Sequence, residues 1–145
     1  MESGIVVREA IVGDSKAIAV LSGQLGYPAS AEEIRERLVR LIIHPENCVF
    51  VAVGNGQIIG WIHAFHTFRL ESQSFVEIAG LVVDENSRRR KIGKELVSSV
   101  IDWARQLSTA SVRVRSNTKR HAAHEFYRHI GFNEVKDQKI FSLDI

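Results

Sequence analysis

Cysteine occurs once in the chain, at Cys48, so no disulfide can close within it. That usage predicts a reducing, cytoplasmic setting. Proline occurs only at Pro28 and Pro45, and no stretch is Pro-rich, repetitive or of low complexity. Both prolines read as punctuation between elements rather than as a linker. No apolar run is long enough to span a bilayer. The opening "MESGIVVREA" lacks the charged-then-apolar order of a secretory leader, so no membrane partner is expected. Net charge is also scant. At +2 it argues against nucleic acid as a partner and leaves any basic function to a local patch.

What is present is an ordinary globular composition, 45% apolar and 25% charged over 145 residues. That length predicts one domain, residues 1–145, around one core. "IVVREA" (Ile5 to Ala10) reads as a strand. Asp14 then stands where it could cap a helix carrying Ile18, Leu21 and Leu25 on one face. "GYP" (Gly26 to Pro28) breaks that helix. Ser30 with Glu33 has the spacing of a capping box, opening a second helix with Ile34, Leu38 and Leu41 inward. His44-Pro45 stops it.

"CVFVAVG" (Cys48 to Gly54) and "QIIGWIHAFH" (Gln57 to His66) read as a hairpin around Asn55-Gly56, since both turn residues tolerate positive φ. "FVEIAGLVV" (Phe75 to Val83) is a further strand, and its apolar second half implies cover on both faces. A helix with Ile92, Leu96, Val100, Trp103 and Leu107 at helical spacing follows. Then come a strand, "ASVRVRS" (Ala110 to Ser116), and a helix from Lys119 to Ile130. That helix has Ala122, Ala123, Phe126, Tyr127 and Ile130 inward and is ended by Gly131. "FNEV" and "KIFSLDI" are expected to pair as closing strands. The order predicts an α/β (α+β) layered fold around a mixed sheet.

The run "SRRRKIGKEL" (Ser87 to Leu96) is the anomaly. Cations at the positive end of a helix are unfavourable. On one reading they are merely solvated. On the other, an anion sits there. A strand turning into a helix leaves backbone N–H groups unsatisfied at the helix start, and those groups bind phosphate. Gly93 would let the backbone approach the ligand closely, and arginines would add charge-assisted hydrogen bonds. The spacing matches neither the phosphate loop of nucleotide hydrolases nor the dinucleotide fingerprint.

The segment resembles the acetyl-coenzyme A signature of the GNAT family of N-acetyltransferases, Arg/Gln-x-x-Gly-x-Gly/Ala between a strand and a helix. Arg88 takes the first place and Gly93 the second Gly; Lys91 stands at the first Gly and departs from the pattern. "RSNTKRHAAHEFYRHIGF" (Arg115 to Phe132) is similar to the family's second half, with a Tyr just before Gly-Phe. The order of elements agrees over nearly the whole chain. The local form looks like small bacterial members, including aminoglycoside-acetyltransferase-like ones.

The resemblance implies a mixed central sheet flanked by helices on both faces and acetyl-CoA as cosubstrate. It implies that Arg88, Arg89, Arg90, Lys91, Ile92, Gly93 and Lys94 hold the pyrophosphate. It further implies that Leu81, Val82 and Val83 form the pantetheine-binding strand end, with the Val82 or Val83 amide on the thioester carbonyl. Tyr127 matches the family's Tyr, implied to protonate the coenzyme A sulfur; read from pattern alone it could be a core aromatic. Glu77 has the offset from Gly93 of the general-base Glu in the histone-acetyltransferase branch; alternatively it faces outward or pairs in a salt bridge. Asn117 matches a cofactor contact, or is a helix N-cap or turn residue.

Cys48 reads as a buried small hydrophobe. His121 with His124, and His63 with His66, have no metal-site spacing, so no metal is expected. Tyr27, Glu71 and Asp137 fall in loops that would border an amine pocket, where acidic groups attract a cation.

The sequence thus points to acetyl transfer to a primary amine by direct attack in a ternary complex. The acceptor stays open among aminoglycosides, other small amines and protein amines. A non-catalytic acyl-coenzyme A-binding or sensor domain is the alternative. A homodimer is expected from how common twofold assemblies are.

Overall fold

The computed structural model describes residues 4–87 and 91–145. Its main elements are β1 (Ile5–Glu9), α1 (Ser15–Gln24), α2 (Ala31–Ile43), β2 (Asn47–Gly54), β3 (Gln57–Thr67), β4 (Phe75–Val83), α3 (Ile92–Gln106), β5 (Val112–Val114) and α4 (His121–His129). They fall into two compact units, one ending at Val114 and one of Arg115–Ile145.

The first unit holds a five-stranded sheet in the order β1-β2-β3-β4-β5. The β1–β2, β2–β3 and β3–β4 pairs are antiparallel, and β4–β5 is parallel. Alternation along β2 assigns helices to both faces. Val51 packs with Ile18 of α1 and Leu38 of α2, whereas its neighbour Phe50 lines a cleft with Ser99 and Trp103 of α3. Successive strand side chains point to opposite faces. The centre is apolar: Val51, Ile62, Val76, Ile92, Leu96 and Val100 are fully buried. Burying each such side chain contributes on the order of 2 kcal/mol.

Local chemistry sets the element ends. Asn55 (φ 52°) and Gly56 (φ 76°) form the β2–β3 turn with both residues left-handed. The Ser30–Glu33 capping box opens α2 with both reciprocal bonds, at 3.0 and 2.9 Å. Asp14 precedes α1 but does not cap it. Its carboxylate instead takes both Arg8 guanidinium nitrogens, at 2.8 and 3.0 Å, and the Ile11 N–H at 2.8 Å. A charged partner and a preceding amide outbid the helix's own donors for the same oxygens.

The C-terminal part departs from expectation. β5, the last strand of the first unit, is only three residues; in the second unit α4 starts two residues after Lys119, with Ala122 exposed rather than inward. Neither "FNEV" nor "KIFSLDI" forms a strand. Val135, Ile140, Phe141, Leu143 and Ile145 are all exposed. Apolar alternation says which face a strand could bury; only a ladder partner makes it a strand.

Candidate active site

The ladder between β4 and β5 covers only Val76–Ile78 against Val112–Val114. β4 then continues to Val83 beyond that pairing. Along this continuation Leu81 lies opposite Ile62, Val82 opposite Trp61 and Val83 opposite Gly60. Val82 is buried, and Leu81 and Val83 are half-buried. An extended segment that outruns its neighbour is where an amide-containing chain could add along the strand.

The turn that follows is braced from α1. Gln24 donates through Nε2 to Asp84 Oδ1 at 2.9 Å and accepts the Glu85 N–H at 3.1 Å. Asp84 Oδ2 accepts the Ser87 hydroxyl at 3.2 Å. The Asp84 N–H is fixed to the Ile59 carbonyl at 2.8 Å. The chain therefore leaves β4 in a set direction. Arg88, Arg89 and Arg90 lie outside the described residues.

Lys91 then occupies the N-cap position of α3 in the left-handed region, φ 60° and ψ 22°, with no side-chain cap bond. That conformation explains why glycine is the family's usual residue here, and a lysine in it costs about 1 kcal/mol. The first intrahelical bond of α3 is Glu95 N–H to the Lys91 carbonyl, at 3.1 Å. The N–H groups of Ile92, Gly93 and Lys94 thus have no acceptor within the helix. Ile92 is buried and anchors the turn, Gly93 is half-buried, and the Lys91 and Lys94 side chains are exposed. Amide donors, a helix dipole and two ammonium groups converge here, a set suited to phosphate oxygens.

On the α1–α2 face of the sheet, register brings together Trp61, His63 and Phe65 of β3 with Phe75, Glu77 and Gly80 of β4. Glu77 is half-buried, opposite Phe65, and Arg113 of β5 lies beside it. The register steps by one residue between Ile78 and Gly80. The Trp61 indole leans over Gly80, with ring carbons 2.9 and 3.0 Å from where a Cβ would stand. Two guanidinium groups already stack on the Phe75 ring, Arg113 at 4.1 Å and Arg69 at 5.1 Å from its centroid, so this face holds cations over an aromatic ring.

In the second unit, Tyr127 sits on α4 with its ring 5.2 Å from Phe126 and 5.5 Å from Phe132. Burial raises its phenol above the ordinary range, against an opposing pull from Arg120. The hydroxyl therefore stays protonated and can donate at neutral pH. Asn117 is a turn residue: its Oδ1 accepts the Lys119 N–H at 2.9 Å, and its carbonyl accepts the Arg120 N–H at 3.0 Å. Arg120, not Asn117, stands at the N-cap of α4.

Other candidates have structural explanations. Cys48 is buried, and burial pushes its thiol up to about 12, which makes it a poor nucleophile. His63 and His66 face opposite sides, His63 toward Asn47 and His66 toward Glu46. Among the described residues no cluster of three or more His, Cys, Asp or Glu could hold a metal. Tyr27, Glu71 and Asp137 lie in loops. Sequence reasoning missed Gln24 and Asp84, whose meeting spans 60 residues and leaves no local signal.

The family described as "Acetyltransferase (GNAT) family" matches residues 18–132. The aminoalkylphosphonate N-acetyltransferase of Salmonella typhimurium is 29% identical over 116 residues, 79% of this chain and 73% of that protein. The aminoglycoside antibiotic 6'-N-acetyltransferase AAC(6')-Ih of Acinetobacter baumannii superposes with a TM-score of 0.85 at 19% identity, covering 98% of this chain and 99% of that one. Aminoglycoside N-acetyltransferase AAC(6')-Iy, in complex with CoA, gives 0.87 at 16% identity, covering 97% and 95%. These structures share the fold, and the family match takes in β4, the turn, α3 and Tyr127. The chain belongs to the acetyltransferase (GNAT) family, and acetyl-CoA-dependent N-acetylation is its activity.

Proposed function

We propose that the turn between β4 and α3 holds the pyrophosphate of acetyl-CoA, and that a primary amine attacks the thioester directly in a ternary complex. The carrying observation is the start of α3: a left-handed N-cap, no side-chain cap, and N–H groups of Ile92, Gly93 and Lys94 without intrahelical acceptors. The residues present fit the coenzyme, since amide donors at a helix start match phosphate oxygens and β4 outruns β5 where an extended amide chain would lie.

Backbone amides of Ile92, Gly93 and Lys94 are the main anion ligands, and the charges of Arg88, Arg89, Arg90 and Lys91 assist them. Leu81, Val82 and Val83 align the arm of the coenzyme, and the Val82 or Val83 amide polarises the thioester carbonyl. Acetyl-CoA supplies the activated acyl group. Glu77 positions the acceptor ammonium or takes its proton. Tyr127 donates a proton to the departing sulfur, and Asn117 adds a cofactor contact.

The acceptor is a small amine, a class supported by the relatives, which include an aminoalkylphosphonate and an aminoglycoside N-acetyltransferase; aminoglycosides and aminoalkylphosphonates head the screen. The test is calorimetric titration with acetyl-CoA beside a Gly93→Glu variant. Binding in the wild type, and a loss of at least about 100-fold in a variant of native circular dichroism, is the expected result. No binding by the wild type overturns the assignment. Tyr127→Phe is expected to lower kcat by about 100-fold with acetyl-CoA binding unchanged. Unchanged kcat would favour a non-catalytic acyl-coenzyme A sensor.

The same reading places the protein in the cytoplasm as a single N-acetyltransferase domain with no nucleic-acid partner. Among the described residues no helix is long and apolar enough to cross a membrane. The exposed Ile140, Phe141, Leu143 and Ile145 side chains support a homodimer, which light scattering would read as twice the chain mass.

A further inference from the structure

His63 has no part in the roles assigned above. It lies on the same sheet face as Glu77, directly opposite Gly80, where the β3–β4 register steps. Its ring stands 6.2 Å from that of Phe65, and Trp61, two residues before it, covers Gly80. Its Nε2 is 2.8 Å from Oδ1 of Asn47. An amide oxygen only accepts, so Nε2 carries the hydrogen and the lone pair of the neutral ring is on Nδ1.

We propose that His63, held in this tautomer by Asn47, takes the proton of the acceptor ammonium through Nδ1, directly or by way of one water. This rests on the N-acetyltransferase reading above and narrows Glu77 to holding the ammonium. In the step an N–H bond of the ammonium breaks and an Nδ1–H bond forms. The freed nitrogen lone pair attacks the thioester carbonyl, and the imidazolium returns its proton to solvent. Burial lowers the His63 pKa, so the ring is neutral at pH 7 and competent as a base.

The charged groups on this face include Arg69, which with Arg113 stacks on the Phe75 ring at 5.1 and 4.1 Å. On β2 its partner is Val49, between Asn47 and Val51. On β4 and β5 the ionisable neighbours on this face are Glu77 and Arg113. The helices packed on the face contribute Ile18, Ile34 and Leu38 to the shared core.

The test combines nitrogen NMR of the histidine rings with pH profiles on the fastest amine from a screen of aminoglycosides and 2-aminoethylphosphonate. In the wild type, His63 is expected as the Nε2–H tautomer at pH 7, and kcat/KM falls on a limb below pH 6.5. His63→Gln removes that limb and lowers kcat/KM about 100-fold, while calorimetric acetyl-CoA binding stays within about twofold. Asn47→Asp keeps the limb and moves it to higher pH, because a carboxylate beside the ring favours imidazolium; a purely structural role for His63 would not produce that move. An Nδ1–H tautomer, or a His63→Gln enzyme with the limb and rate intact, overturns the proposal and leaves the N-acetyltransferase reading standing. Acetyl-CoA binding with no amine turned over sinks that reading and this proposal together.

Discussion

Two helices in this protein begin in opposite ways. α2 closes its own start: the Ser30 hydroxyl accepts the Glu33 N–H, the Glu33 carboxylate accepts the Ser30 N–H, and Glu32 adds a second acidic side chain to the first turn. α3 has one acidic side chain in its first turn, Glu95, but no capping box. Its N-cap is a left-handed lysine without a cap bond, and another lysine, Lys94, stands in its first turn. A helix start that satisfies itself serves stability; one that leaves donors and positive charge in place is suited to an anionic ligand.

The sharpest way to break the contrast is to give α3 a carboxylate of its own. Lys91→Asp tolerates positive φ and offers an internal acceptor. It is expected to weaken acetyl-CoA binding about tenfold, roughly 1.4 kcal/mol, while raising the unfolding midpoint in urea. Ser30→Ala at α2 should do the reverse, costing about 1 kcal/mol of stability by chemical denaturation with coenzyme affinity unchanged. Lys91→Gly relieves the left-handed backbone and should stabilise by about 0.5–1 kcal/mol, with affinity within about threefold, since the main ligands proposed above are backbone groups.

The smallest effect is on pH. The Glu33 carboxyl is lowered by its hydrogen bonds with the Ser30 backbone and side chain, with Arg37 adding a weaker pull. A depressed carboxyl contributes stability above its unfolded pKa, near 4.5, and loses it as pH falls through the lower folded value. Acid titration of the wild type and Glu33→Gln should therefore converge below that window; parallel curves would mean the Glu33 carboxylate is not the source.

Much of this was legible because it was local. Asn55-Gly56, the Ser30–Glu33 pair and the full extent of Phe75–Val83 are specified by residues within one element or turn. The signature turn was legible through its spacing, although Lys91 hid the left-handed backbone that glycine would have announced. What could not be read was partner choice. Asp14 had the position of a cap and took Arg8 instead. Ile140, Leu143 and Ile145 had a strand's composition without a ladder. His63 and Glu77 share a face only because β3 and β4 pair in this register. Such facts depend on which distant group arrives, and no periodicity carries that.

The Gln24 bridge to Asp84 and Glu85 has a kinetic meaning. It closes a loop of 60 residues, so the turn ahead of α3 is expected to take its final shape only once α1 and the end of β4 have met. Loop closure over that span costs entropy before any contact repays it. The proposed coenzyme platform is therefore expected to be a late product of folding, formed after the strands that precede it.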